Sequence, residues 1–188
     1  MKFKLIYNGE VKINPKRRTQ HLDDIRTALS PQLRRLTEIA PYSVIREKLV
    51  QKGRGIREVG GAKFFPIITP ELNLLADLDV QILHPELLET PHADIDNRMK
   101  TLLDALKRPQ GPHEVCNTHN GEIIYTLLDD DHLVTRMNIN TSHLLDPCAS
   151  GCGRGSGPGS RESYELLIII GVSIRASKGT MDNLAIIV

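Results

Sequence analysis

The chain has no tryptophan, and aromatic residues make up only 4% of its 188 positions. An aromatic platform for stacking nucleic-acid bases is therefore not expected. Three cysteines are an odd number for a disulfide framework, which predicts a reduced, cytoplasmic protein. No apolar run approaches the length of a membrane span; the longest, Leu166 to Val172, is strand-sized. No membrane partner is expected. The opening MKFKLIYNGEVKI also lacks the apolar stretch of a secretory signal. The glycine-rich segment 149–160 has neither Gly-Lys-Ser/Thr nor GxGxxG ahead of a helix, which argues against nucleotide binding there.

What is present fits one domain over residues 1–188, long enough to bury a core. The net charge of +1 conceals an uneven layout. Residues 1–63 carry 15 Lys/Arg against 6 Asp/Glu, and residues 64–160 carry 6 against 14. A basic first third beside an acidic middle is what a phosphate-gripping surface next to a carboxylate metal site looks like; solvated helix faces give the same count.

Residues 2–13 predict a β-hairpin: Phe3, Leu5 and Tyr7 alternate, Asn8-Gly9 is a favoured turn, and Val11 and Ile13 resume. Leu22, Ile25 and Leu29 make a helical stripe. Ser30-Pro31 predicts a break and restart, and Leu33, Leu36 and Ile39 continue. Ser43 to Lys52 predicts a further helix closed by Gly53, followed by a mobile basic segment, 53–57. Leu72 to Leu83 alternates as a long strand, ending at His84-Pro85. Residues 107–121 predict a loop or insert. Ile123 to Leu128, Leu133 to Ile139, Tyr164 to Ala176 and Leu184 to Val188 predict strands. Without regular βαβ alternation the fold class is α+β, a small mixed β-sheet packed with helices.

The run Asp94-Ile95-Asp96-Asn97-Arg98-Met99-Lys100 places two carboxylates at the mouth of an amphipathic helix, with a lysine one turn in. Met99, Leu102, Leu103 and Leu106 share one face; Asp96, Lys100 and Asp104 share another. One Asp suffices to cap a helix. Two carboxylates, an Asn and a Lys together also suit a hard divalent cation. Asp129-Asp130-Asp131 is either a polar turn or a second set of ligands. Carboxylates from separate segments converging on Mg²⁺ can activate water and steady a phosphate, and a lysine can neutralise developing charge. Asp77 and Asp79 form another DxD, which reads as the solvent face of a strand. Cys116-x-x-His119 with Cys148-x-x-x-Cys152 is a weak zinc pattern, and free thiols are the simpler reading.

The run DIDNRMKTLLDAL resembles the signature of the RusA family of Holliday junction resolvases, through Asp94, Asp96, Asn97, Lys100, Asp104, Ala105 and Leu106. Val80 to Pro85 is similar to the strand leading into that motif. Leu128-Asp129-Asp130 with Leu133-Val134 resembles the family's second acidic segment. The resemblance covers roughly residues 78–140. It implies a RusA-like fold with its metal-site core at about 72–140. It also implies a Mg²⁺-dependent homodimer, with Mn²⁺ able to substitute, that nicks opposed strands of a four-way DNA junction. Asp94, Asp96 and Asp130 are then the metal ligands, Asp129 and Asp131 the fallbacks, and Lys100 a catalytic support. Paired nicks imply two sites related by a two-fold axis. Departures from the family pattern are the length, the opening, the insert 107–121 and the glycine-rich loop 149–160. The DNA contacts are expected from Lys16, Arg17, Arg18, Arg34, Arg35, Lys52, Arg54 and Arg57. Rival readings are a non-catalytic DNA-binding or architectural protein and a DxD metal-dependent transferase.

Overall fold

The structure, a computed structural model, describes residues 1–12, 17–84, 95–116, 121–144, 166–181 and 183–184. In chain order its elements are β1 (Lys2–Asn8), α1 (Arg18–Leu36), α2 (Ser43–Gln51), β2 (Arg57–Val59), β3 (Ala62–Ile68), β4 (Leu74–His84), α3 (Ile95–Leu106), β5 (Ile123–Leu128), β6 (Val134–His143) and β7 (Leu167–Ala176). The fold is α+β, with two mixed sheets. One has the order β1-β7-β4-β6 and the other β2-β3-β5. Among the described strands only the β4–β6 and β3–β5 pairs are parallel. Among the described residues no helix is long and apolar enough to cross a membrane.

Period-two patterning sets the larger sheet. Leu74, Ala76, Leu78, Val80 and Ile82 of β4 point to one face with Ile168, Ile170, Val172 and Ile174 of β7, and all are buried. Against them pack Leu22, Ile25, Leu29 and Leu33 of α1, Met99, Leu102 and Leu106 of α3, and Ile67, Ile68, Leu127 and Leu128 of the smaller sheet, in one continuous core. The opposite face of the larger sheet is open. Across it lies a trough of about 620 Å³ lined by residues that include Lys2, Lys4, Asp77, Asp79, Arg136 and Asn138.

Several expectations need correction. The hairpin expected over 2–13 is not formed among the described residues: β1 ends at Asn8, and residues 9–12 are not strand. The partner of β1 is distant β7, in register from Lys2↔Ser173 to Asn8↔Leu167, and the Gly9 N–H extends that ladder to the Leu166 carbonyl (3.0 Å). Val11 is nonetheless buried. Ser30-Pro31 does not break α1. The buried stripe continues through it from Leu29 to Leu33, and the buried Ser30 hydroxyl accepts the Tyr125 N–H (2.9 Å). Arg57, expected in a mobile segment, opens β2. The strand β3 was not anticipated. Leu184 lies in a turn closed by its N–H on the Thr180 carbonyl (3.0 Å), while 185–188 and the glycine-rich loop fall outside the described residues. The α2 helix ends as expected, with Gly53 at φ 63° beyond its C-cap.

Candidate functional site

A buried apolar face and a buried arginine position α3. Its apolar face is buried, as the spacing predicts, although Leu103 is only half-buried. Its C-terminal end is gripped by α1. The buried Arg26 guanidinium donates to the carbonyls of Asp104 (2.8 Å), Lys107 (3.2 Å) and Glu114 (3.3 Å), and to the Asp23 carboxylate (3.0 Å). The free C-terminal carbonyls of a helix need such donors. Burial pulls the Arg26 pKa below the usual guanidinium range, against the Asp23 bond that raises it. The other Asp23 oxygen accepts the Cys116 N–H (2.7 Å), tying the 112–116 turn to the same point.

The acids around that end are matched by cations. Asp104 pairs with Arg18 and with Lys107 (3.1 Å); Asp131 also pairs with Lys107 (2.8 Å). Burial alone would lower the Lys107 pKa, but the bonds from Asp131 and Asp104 outweigh it and raise the value. The largely buried Asp129 pairs with Arg108, and Arg57 Nε stands 3.9 Å away; Arg57 itself pairs with Glu71. Asp130 differs. Among the described residues it meets no Lys or Arg. Its carboxylate accepts the His132 N–H (3.2 Å) and faces His132 Nδ1 (2.8 Å), capping the turn 131–133. Partial burial pushes the Asp130 carboxyl up, yet the His132 bonds prevail and hold it at about 2.

At the opposite end of α3, Asp96 lies in the first turn and Lys100 one turn further on, both exposed. Among the described residues neither has an ion-pair or side-chain hydrogen-bond partner. Asp94 lies outside the described residues, as do Lys16, His119, Cys148 and Cys152. The structure does not bring Asp130 to Asp96. Lys107 bridges to Leu128, and the Arg108 N–H reaches the Leu128 carbonyl (3.0 Å), so the 129–131 segment meets the C-terminal end of α3. Eleven residues of helical rise, about 16 Å, separate Asp96 from Lys107. Among the described residues no group of three His, Cys, Asp or Glu stands close enough to hold a metal.

Asp77 and Asp79 share the open face of β4, as their spacing predicts. Asp77 meets Thr135 (2.8 Å) and Arg175 (3.5 Å), and Asp79 meets Asn138 (3.3 Å). Of the expected DNA contacts, Arg18 and Arg57 are committed to partly buried acids of the chain, whereas Arg17, Arg34, Arg35 and Arg54 are exposed, Arg34 with a surface pairing to Glu38 (3.4 Å). Lys107, not singled out from the sequence, carried one signal: its i,i+3 spacing from Asp104. Comparison with protein-family models, with curated proteins and with solved structures gives no match.

Proposed function

We propose that the chain is a Mg²⁺-dependent, structure-selective endodeoxyribonuclease of the RusA kind, which resolves four-way DNA junctions by hydrolysing phosphodiester bonds. The observation that carries the reading is the charge left unmatched on α3. Asp104, Asp129 and Asp131 have cations of their own, whereas among the described residues Asp96 and Lys100 stand exposed and without a partner at its other end. A magnesium ion keeps several waters and needs only one or two carboxylates from protein. Asp96, with Asp94 beside it in sequence, fits that requirement in donor chemistry. The ion, when bound, supplies an acidified water and neutralises phosphate charge. Lys100, one turn further in, can bind and orient a phosphate oxygen and offset charge developing on it. Exposed Arg17, Arg34, Arg35 and Arg54 would grip phosphates along the DNA arms.

The test is cleavage of a labelled four-way junction, with linear duplex as control. Symmetric nicks that need Mg²⁺, vanish in Asp96→Asn and fall by about 10²-fold or more in Lys100→Ala are expected. The family resemblance makes Asp130→Asn as damaging as Asp96→Asn. The separation along α3 makes it much milder, and the milder result is expected. Equal losses would mean that the 129–131 segment joins the site. One other reading is a non-catalytic junction-binding protein: Asp104, Asp129 and Asp131 pair with cations of the chain and Asp130 caps the turn 131–133. Tight junction binding without cleavage in Mg²⁺ or Mn²⁺ would establish it.

A further inference from the structure

The cross-strand register of the larger sheet sets unlike charges on one face and keeps them apart. Lys2 and Lys4 of β1 stand opposite Ser173 and Gly171 of β7. These stand opposite Asp77 and Asp79 of β4, which in turn stand opposite Arg136 and Asn138 of β6. The lysines are thus two strand spacings, about 9.6 Å, from the acids. Gly171 has no side chain and Ser173 a short one, so nothing bridges the gap. The trough of about 620 Å³ therefore has a basic wall, a low floor and an acidic wall. A Cβ at Gly171 would sit 3.4 Å from the Asp79 Cβ and rise from that floor. Among the described residues Lys2 and Lys4 have no ion-pair or side-chain hydrogen-bond partner. Asp77 is occupied by Thr135 (2.8 Å) and Arg175 (3.5 Å), but among the described residues Asp79 meets only Asn138 Nδ2 (3.3 Å). That bond leaves a second Asp79 oxygen to accept and a second Asn138 N–H to donate. Residues 85–94 and 145–165 join these strands at His84, His143 and Leu167, four or five residues beyond the Asp79 row.

We propose that this trough binds a free nucleoside monophosphate whose base carries an amino group beside a bare ring nitrogen, as adenine and cytosine do. The ammonium groups of Lys2 and Lys4 hold the phosphate, for which lysine serves as a point charge. Across the floor, the Asp79 carboxylate accepts from the amino group, and the Asn138 side chain donates to the ring nitrogen. Asp is a usual acceptor for the cytosine amino group, and Asn a usual partner of adenine. Uracil presents the reverse pattern, a carbonyl beside a ring N–H. It would set carbonyl against carboxylate and N–H against N–H. With Arg136 opposite Asp77 and Arg175 paired to it, this face carries four cations against two acids. That balance favours an anionic ligand over a bare metal ion. The volume suits a small ligand oriented by a few polar groups. The inference does not rest on the nuclease reading, since it uses no residue of α3.

Calorimetric titration of the full chain with cytidine and adenosine monophosphate should show saturable binding at or below about 1 mM. Uridine monophosphate should bind at least about tenfold more weakly, because its edge leaves the site's polar groups unpaired. Lys2→Ala with Lys4→Ala should weaken the cytidine and adenosine nucleotides about tenfold or more. Asp79→Ala should bring them to the level of the uridine nucleotide, while weak binding of inorganic phosphate stays unchanged. Lys2, Lys4 and Asp79 are exposed, so the variants keep the core, which unchanged circular dichroism spectra would verify. No binding of either amino-bearing nucleotide overturns the proposal. So does equal binding of the uridine nucleotide. Binding that both variants leave intact also overturns it, since the ligand would then sit on another surface.

Discussion

Arg26 shows how much one buried side chain can hold. With Asp23 it forms a buried ion pair, and its remaining donors serve three carbonyls from two other segments. Removing one partner of such a pair strands the other charge. Arg26→Ala should therefore cost about 3–5 kcal/mol in urea denaturation, while Arg26→Met with Asp23→Leu should cost less than the two single losses added, because neither charge is then stranded. A loss below about 1 kcal/mol for the single variant would show that the pair is not the anchor described. His21 gives a pH test. Its Nε2 accepts the Lys12 N–H (3.1 Å), which only an unprotonated ring nitrogen can do. Burial, then the Lys12 charge, lowers its pKa. A folded value below the unfolded one means that His21 adds stability above about pH 6.5. That contribution disappears as pH falls through the folded value. Exchange protection of the Lys12 amide should drop over that window in wild type and stay flat in His21→Gln.

Among the elements, α1 carries a proline that its own backbone does not favour. Pro31 is exposed, removes a helical donor and crowds the preceding turn. Pro31→Ala should raise the unfolding free energy by about 1–3 kcal/mol, read from urea midpoints, if the buried stripe alone keeps α1 continuous there. No gain would mean that the proline's restriction of the unfolded chain offsets the helical penalty. The same helix shows where sequence reading stops. Leu22, Ile25, Leu29 and Leu33 announce their face by spacing, but the local stop signal at Ser30-Pro31 is overruled by packing beyond the window. The strand β4 was legible because its two faces differ. The strand β3 was not, because residues buried on both sides, Phe64 to Ile68, show no alternation, and Pro66 argues against a strand. In the candidate site, the α3 face with Asp96 and Lys100 was legible from four-residue spacing. The capture of Asp129 and Asp131 by Arg108 and Lys107 was not, because those pairs form between segments more than twenty residues apart in sequence.

For the whole molecule, the basic first third resolves into two populations. Arg18, Arg26 and Arg57 are consumed internally, and Arg17, Arg34, Arg35 and Arg54 face solvent. If the exposed set grips phosphates, junction affinity should fall steeply with salt. Replacing Arg34 and Arg35 by Ala should then reduce the slope of log affinity against log salt by about 2. An unchanged slope would move the DNA surface elsewhere. The way α3 is held also bears on its exposed end. Arg26, Arg18 and Lys107 all fasten the C-terminal end. Asp96 lies near the opposite tip of the helix, beyond Met99 and Leu102, which seat the helix in the core. Over an arm of about 16 Å, a tilt of about 5° at the root carries the tip about 1.4 Å, a displacement that can cost a reaction about 10²-fold. If Asp96 serves the proposed hydrolysis, a substitution at Arg26 would therefore detune it from the far end of the helix, without altering any atom beside it.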